Sequence, residues 1–365
     1  MLTIPFGSHS IYLDQQLLQT EMVSTLCAPL RRRLAIITDS NLADTYGQAL
    51  QKTLNKQGCL ADLFVFSAGE THKTRHTKEQ LEDELLRKQY GRDSCFLALG
   101  GGLVCDLVGF LAATYCRGVP VIYLPTTLLA MVDASMGGKT GLNTPLGKNL
   151  IGTFTQPYAV CMDMATLQTL PDCEWRNGIA EMIKHSLIAD ANLFAQMQSS
   201  QNLQALQNRA DLVDLIQKNC AIKKSIVEQD EHEKSIRQLL NFGHTIGHAI
   251  EALEDYRIGH GEAVAIGMLV ECHLAVQAGY LSDTVLEAVH ALLHRYALPL
   301  KTSVFQNKSL FLEALILDKK SIQSIPQFVL LTGIGQPYVH EGQYTHPVAI
   351  EYLDRALDWA AERFG

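Results

Sequence analysis

His244 and His248 stand four residues apart in LNFGHTIGHAIE, and a third imidazole, His260, follows in HGEAVAIG. On a helix, residues i and i+4 share one face, so this spacing lets His244 and His248 grip one divalent cation. Glu181, Lys184 and His185 occupy i, i+3 and i+4 of a second helical pattern, NGIAEMIKHSLIAD. Glu181 is the carboxylate best suited to complete a histidine metal site; the alternative is an i,i+3 ion pair with Lys184, worth roughly 0.2 to 0.5 kcal/mol. Gly243, Gly247, Gly259 and Gly261 crowd around the histidines, and that density predicts that something approaches the backbone closely there. Lys223, Arg237 and Asn241 come just before the histidine helix. Several cations beside a metal suit a substrate that carries both carboxylate and phosphate.

The first half holds three further runs. The strand pattern CFLAL ends in Gly100, Gly101 and Gly102 and passes into a helix whose first turns carry Asp106. Unsubstituted amides at a helix N-terminus suit a pyrophosphate, although the run is not GxGxxG and also fits a tight turn. In SAGETHK, Glu70 could accept ribose hydroxyls and Lys73 could meet a phosphate, or the run is a solvated loop. Asp39, after LAIIT, is a ribose candidate or a helix cap. From Tyr123 to Phe154, Thr126, Thr127, Asp133, Lys139, Asn143, Lys148 and Asn149 are embedded among glycines and apolar residues. Lysines beside glycines read as charges held over an anion or as a solvated face, and the P-loop pattern is absent.

The elements that must position these groups fall into two sets. The chain has 365 residues, of which 47% are hydrophobic and 19% charged, enough for about two domains with their own cores. Up to about residue 170, strand patterns (RRLAIITDSN, LADLFVFSAGE, SCFLALGGG, VPVIYLPTT) alternate with helical ones. That alternation predicts βαβ units and a mostly parallel sheet. From Pro171 onward the pattern is helical, with Asp172 as an expected N-cap and final strands in QFVLLTGIG and PYVHE. The expected architecture is a nucleotide-binding α/β domain over 1–170 and a mainly α-helical metal- and substrate-binding domain over 171–365. A net charge of -8 argues against nucleic acid or an anionic membrane surface as partner. Nine scattered cysteines without a CxxC pair fit reduced thiols. With no signal-peptide pattern and no apolar run near ~18 residues, the expected location is the cytoplasm.

At these residues the chain resembles the 3-dehydroquinate synthase family. The resemblance runs from about Gly69 to Lys320 through GGGLVCDLVGF, YLPTTLLAMVDASMGGKTGLN, GKNLIGTFTQP, AEMIKH, LLNFGHTIGHAIE and HGEAVAIG. It implies a lyase dependent on NAD and on zinc or cobalt, usually a homodimer, in the shikimate pathway of aromatic amino acid biosynthesis. Its substrate would be a seven-carbon sugar acid phosphate, DAHP. The implied reaction is transient oxidation by NAD, phosphate elimination, reduction, ring opening and aldol closure. The resemblance also revises the metal set, to Glu181, His244 and His260, with His248 facing substrate. It places Asp133, Lys139, Asn149, Lys184, Lys223, Arg237 and Asn241 in the substrate pocket, with one lysine of the Lys319/Lys320 pair, and sends Arg117 to the neighbouring subunit's phosphate site. Cofactor contacts carry over to Asp39, Glu70, Lys73, Gly101, Gly102, Asp106, Thr126, Thr127, Lys139, Lys148 and the segment Thr166, Leu167, Gln168 and Thr169. Two departures touch loop shape: Ser235 stands where glycine is common, and the glycine usual after DKK is missing.

Rival readings are a metal-dependent polyol dehydrogenase, a sister sugar-phosphate cyclase and an NAD-binding regulator without turnover. The cation set discriminates, because a plain dehydrogenase has no use for Lys139, Lys184, Lys223 and Arg237 around one anionic substrate.

Overall fold

The structure is a computed structural model and describes residues 1–30, 32–317 and 325–365. Lys319 and Lys320 lie outside the described residues. The chain divides into two compact units, Met1–Pro171 and Asp172–Gly365.

In the first unit the strands are β1 (Leu2–Phe6), β2 (His9–Asp14), β3 (Arg33–Asp39), β4 (Ala61–Phe66), β5 (Ser94–Gly100), β6 (Val121–Pro125), β7 (Lys139–Thr144), β8 (Gly147–Phe154) and β9 (Ala159–Asp163). The helices are α1 (Met22–Cys27), α2 (Gln48–Lys56), α3 (Arg75–Arg87) and α4 (Gly102–Thr114). Seven strands form one sheet in the order β1-β2-β9-β6-β5-β3-β4, parallel except for the β1–β2 hairpin. The expected α/β class with a mostly parallel sheet is borne out. β5 and β6 are buried at every position, which is why they read as continuous apolar runs: strands of a parallel sheet are covered on both faces. The chain moves from β3 outward to β4, then returns to place β5 on the other side of β3. At such a reversal the crevice beyond the carboxyl ends of the strands is where α/β sheets take ligands. Asp39 ends β3 and Gly100 ends β5.

The sequence patterns did not reveal β1, β2 and β9. Asp163, at the end of β9, ties them together: its carboxylate accepts the amides of Gln16 (2.7 Å), Leu18 (3.0 Å) and Ala165 (2.9 Å). The lysines read as charges held over an anion, Lys139 and Lys148, fall on the antiparallel β7–β8 hairpin, a separate two-stranded sheet.

The second unit contains α5 (Asp172–Ala189), α6 (Ala191–Gln198), α7 (Leu203–Gln207), α8 (Leu212–Gln229), α9 (His244–Leu253), α10 (His260–Gln277), α11 (Asp283–Arg295), α12 (Lys308–Leu317) and α13 (Ile350–Phe364). The remaining regular pieces among the described residues are short: two 3-10 turns, Ile236–Asn241 and Val304–Gln306, and a strand pair in which QFVLLTGIG yields β10 (Leu331–Gly333), paired with β11 (Gln336–Pro337). Of PYVHE, Pro337 ends β11 and His340 makes an isolated bridge to Gln343. Asp172 opens α5 as its first helical residue and does not cap it; its carboxylate accepts Gln207 Nε2 at 3.0 Å.

What approaches Gly243, Gly247 and Gly261 is largely the backbone of neighbouring helices, whereas Gly259 faces the side chains of Asn177 and Glu262. Gly243 has φ +78°, and a side chain there would meet Met268 Cγ at 2.7 Å, while a methyl on Gly267 would overlap the Gly243 carbonyl oxygen. A Cβ on Gly261 would lie 2.5 Å from Asn177 Cα on α5. Absent side chains thus let α9 pack on α10, and α10 on α5, nearly backbone to backbone. No helix among the described residues is long and apolar enough to cross a membrane.

Candidate metal centre and nucleotide site

The packing of α5, α9 and α10 brings Glu181, His244 and His260 together. Their ligand atoms all lie within 4.8 Å of one another. The Nε2 atoms of His244 and His260 are each 3.5 Å from the same carboxylate oxygen, Glu181 Oε1. Zinc takes nitrogen and oxygen ligands at about 2.0 to 2.2 Å, so the edge of a tetrahedral site is about 3.4 Å; the observed separations match it. Glu181 is fully buried (0% exposed), and the His244 and His260 side chains are 11% and 28% exposed. A buried carboxylate facing two imidazoles, with one side open, is the donor set of a catalytic zinc or cobalt site.

The surroundings fix the ligands. His244 Nδ1 lies 3.0 Å from the Phe242 carbonyl oxygen, so that nitrogen carries the proton and Nε2 keeps its lone pair. Lys184 pairs with Glu181 Oε2 through the i,i+3 spacing, so the ion pair and the metal grouping coexist. Burial acts to lower the pKa of His260, but the Glu251 and Glu181 carboxylates outweigh it and push it up to about 10. A divalent cation held there would compete with that proton for the ring nitrogen. His248, one turn along α9, is half-buried with its ring edge-on to His244, the centroids 5.5 Å apart, and lies outside the close group of ligand atoms. Spacing along one helix suggested the pair His244 and His248, whereas the crossing of α10 brings His260 to Glu181 and His244.

The second unit also organises the predicted cations. Lys223 on α8 and Arg237 are 5% and 2% exposed. Arg237 sits in the 3-10 turn Ile236–Asn241. The Asp230 carboxylate accepts the amides of Lys234 (2.9 Å), Ser235 (2.6 Å) and Arg237 (3.1 Å), clamping this turn. Burial raises the Asp230 carboxyl, but those three amides and the Arg237 charge outweigh it and hold it below the ordinary value. Ser235 has φ −149°, so the departure from glycine introduces no left-handed strain. Asn241 Nδ2 donates to Glu233 at 2.7 Å.

In the first unit, Gly101 precedes α4 and Gly102 opens it, at the sheet reversal described above. Cβ atoms at these positions would lie 3.1 Å from Thr127 Cγ2 and 3.0 Å from Ala134, so the amides stay bare for a phosphate. Thr126 donates its amide to the Gly100 carbonyl at 3.0 Å, and Thr127 Oγ1 accepts the Ala130 amide at 3.1 Å. Asp133 lies in the π-turn that follows. Asp39 accepts the Asn41 amide at 2.9 Å, and burial raises its carboxyl. Lys73 is 3% exposed, with its ammonium 2.5 Å from Asp106 and 2.6 Å from Asn149. Burial raises the Asp106 carboxyl, with Lys73 opposing. Glu70 accepts Asn143 Nδ2 at 2.8 Å, and Asn143 accepts the Asn149 amide at 3.1 Å. These groups fit a dinucleotide: bare amides at a helix start, carboxylates at strand ends and a buried lysine. Lys139 begins β7 and is exposed; Lys148, on β8, is half-buried. Thr166 to Thr169 form a 3-10 turn in which Leu167 is buried, Gln168 is exposed and Thr169 meets the Tyr46 hydroxyl at 2.7 Å. Arg117 follows α4, exposed, with φ +69°.

Sequence reasoning passed over two residues, Asp230 and Glu251. Glu251 stands seven residues after His244, two helical turns along the same face, and that spacing was its signal.

The family model for the 3-dehydroquinate synthase N-terminal domain matches residues 63–177, and that for the C-terminal domain matches residues 178–321. This bears out the resemblance read from the motifs. The chain is 39% identical over 360 residues to a 3-dehydroquinate synthase from Crocosphaera subtropica, covering 98% of this chain and 97% of that one. Among solved structures it is similar to a 2-deoxy-scyllo-inosose synthase complexed with carbaglucose-6-phosphate, NAD+ and Co2+ (TM-score 0.88, 26% identity, covering 98% and 99% of the two chains). It is also similar to a 2-epi-5-epi-valiolone synthase from Streptomyces hygroscopicus with NAD+ and Zn2+ bound (TM-score 0.85, 28% identity, covering 100% and 99%).

Proposed function

The chain belongs to the 3-dehydroquinate synthase family, and from that membership we infer that it converts DAHP into 3-dehydroquinate and inorganic phosphate. It is a carbon–oxygen lyase of the shikimate pathway, dependent on NAD and a divalent metal. The observation that carries this reading is the convergence of two imidazole nitrogens on one buried carboxylate oxygen, at separations that fit zinc or cobalt.

Bound NAD supplies a reversible hydride acceptor, and a metal held by Glu181, His244 and His260 supplies a Lewis acid toward substrate hydroxyls. The chain's own groups bind and orient. Asp39 and Glu70 take ribose hydroxyls; Gly101 and Gly102 cradle the pyrophosphate, with Lys73 and Asp106 beside it; Thr126, Thr127, Lys148 and the turn 166–169 complete the cofactor contacts. Arg237, desolvated and planar, suits a carboxylate held through two hydrogen bonds. Lys184, Lys223, Asn241, His248 and one lysine of the pair 319/320 hold the remaining anionic and hydroxyl groups. Asp133, Lys139 and Asn149 belong to the substrate-binding set on the same family reading. Fixed cations around a substrate that expels phosphate lower the barrier by orientation and by stabilising developing charge.

The working form is a cytoplasmic homodimer in which Arg117 reaches the partner's phosphate site. Mixing Arg117→Ala with Lys223→Ala tests this: each alone is inactive, while subunit exchange restores about a quarter of the sites.

The decisive assay is phosphate release from DAHP with and without NAD and a chelator. Release that needs both NAD and metal, without net NADH, supports the assignment. Release from glucose 6-phosphate but not from DAHP would overturn it in favour of a sister cyclase.

A further inference from the structure

Each of the three metal-facing side chains has an outer partner, and the partners differ in kind. Glu181 has the Lys184 ammonium, and His244 has a backbone carbonyl that no side-chain substitution removes. His260 has Glu251, whose Oε1 lies 3.4 Å from Nδ1, the ring nitrogen not turned toward Glu181. Glu251 is 1% exposed, and a carboxylate is withdrawn from water at a cost that only charged or hydrogen-bonding partners offset. His260 has the most open side chain of the three, 28% exposed against 11% and 0%, so its ring has the most freedom to turn and gains most from an anchor. The anchor is built into the fold, because Glu251 lies on α9 two turns beyond His244, on the helix packed against the start of α10.

We propose that Glu251 is the positioning residue of the metal centre: it accepts the Nδ1 proton of His260, fixing the tautomer and aiming Nε2 at the space shared with Glu181 and His244. It touches neither metal nor substrate. Its effect is on how tightly the site holds its ion, since outer-shell carboxylates both orient a ligating imidazole and raise its basicity. The proposal rests on reading Glu181, His244 and His260 as the metal ligands.

The test is the affinity of the full-length protein for Co2+ alone, by competition with a chromophoric chelator, in the wild type, Glu251→Ala and Glu251→Gln. Glu251→Ala is expected to weaken Co2+ binding by about 10- to 100-fold. Glu251→Gln, which keeps an acceptor without the charge, falls between it and the wild type. The melting temperature in excess chelator and the affinity for NAD should stay at wild-type values, which a merely structural role would not allow. The visible bands of bound Co2+ should shift, reporting a turned His260 ring. Wild-type affinity in both variants, with unshifted bands, overturns the role of Glu251. No Co2+ binding by the wild type, or binding unaffected by Glu181→Gln, overturns the underlying metal reading instead. If Glu251→Ala fails to fold, Glu251→Gln decides by the same measure.

Discussion

The backbone of Gly267 on α10 lies against the carbonyl of Gly243 at the start of α9, so closely that a methyl group on Gly267 would overlap that oxygen. Through this contact the spacing of His244 and His260 is set by main chain against main chain. Gly267→Ala must push the helices apart. Overpacking of this kind costs about 1 to 3 kcal/mol, which for a unit of this size lowers the melting temperature by about 2 to 12 °C. Calorimetry of the metal-free protein checks it; an unchanged transition would mean that the helices separate freely and that the contact positions nothing.

His244 and His248 should separate cleanly in their effects. His244→Ala removes a ligand and empties the site, so metal content measured after desalting falls with activity. His248→Ala leaves the metal in place and lowers kcat by about 10² to 10⁴, the range expected when a proton-handling or orienting group is lost. Equal metal loss in both variants would restore the i,i+4 pair as the ligand set.

Asp230 predicts a pH dependence with a defined sign. Its folded-state pKa is lowered relative to the unfolded chain, so its stabilisation is fully present above the unfolded value of about 3.9 and is lost as pH falls through the folded value. Asp230→Asn should cost about 1 to 2 kcal/mol at neutral pH and flatten the acid limb of the stability curve below about pH 4. Chemical denaturation between pH 3 and pH 7 reads both. Because the clamp holds the turn bearing Arg237, KM for substrate should rise as well.

Lys73 lies between Asp106 and Asn149 with almost no solvent. Lys73→Met strands the Asp106 carboxylate, and breaking a buried pair on one side costs about 3 to 5 kcal/mol; the partial exposure of Asp106, 20%, places this case at or below the lower end. NAD binding should weaken in parallel. Adding Asp106→Asn to Lys73→Met should return part of the stability but not the NAD affinity. A double variant no more stable than the single one would show that the two side chains are energetically independent.

The chemistry was more legible in the sequence than the geometry that assembles it. The parallel sheet announced itself through the nearly continuous apolar runs of β5 and β6, because burial on both faces leaves few polar positions. The strands β1 and β2 are half-buried in alternation and carried a weaker pattern. In the β7–β8 hairpin, Thr144-Pro145-Leu146-Gly147 has the proline and glycine of a turn, yet the lysines and glycines on either side suggested an anion loop. For the metal set, helical spacing can name only residues on one helix. His260 and Glu181 join His244 through contacts between helices, which the residue pattern alone does not encode; the family motifs pointed to them. Glycines were read correctly as sites of close approach but not for what approaches.

His260 follows His244 by 16 residues, whereas Glu181 precedes His244 by 63. Loop-closure entropy grows with the logarithm of length, so bringing the distant carboxylate to the two rings is dearer than joining the rings by about 1.2 kcal/mol. The two rings thus close the shorter loop and Glu181 closes the longer one. An ion bound by all three residues would therefore bridge stretches of chain 63 and 16 residues apart and stabilise the folded unit by mass action.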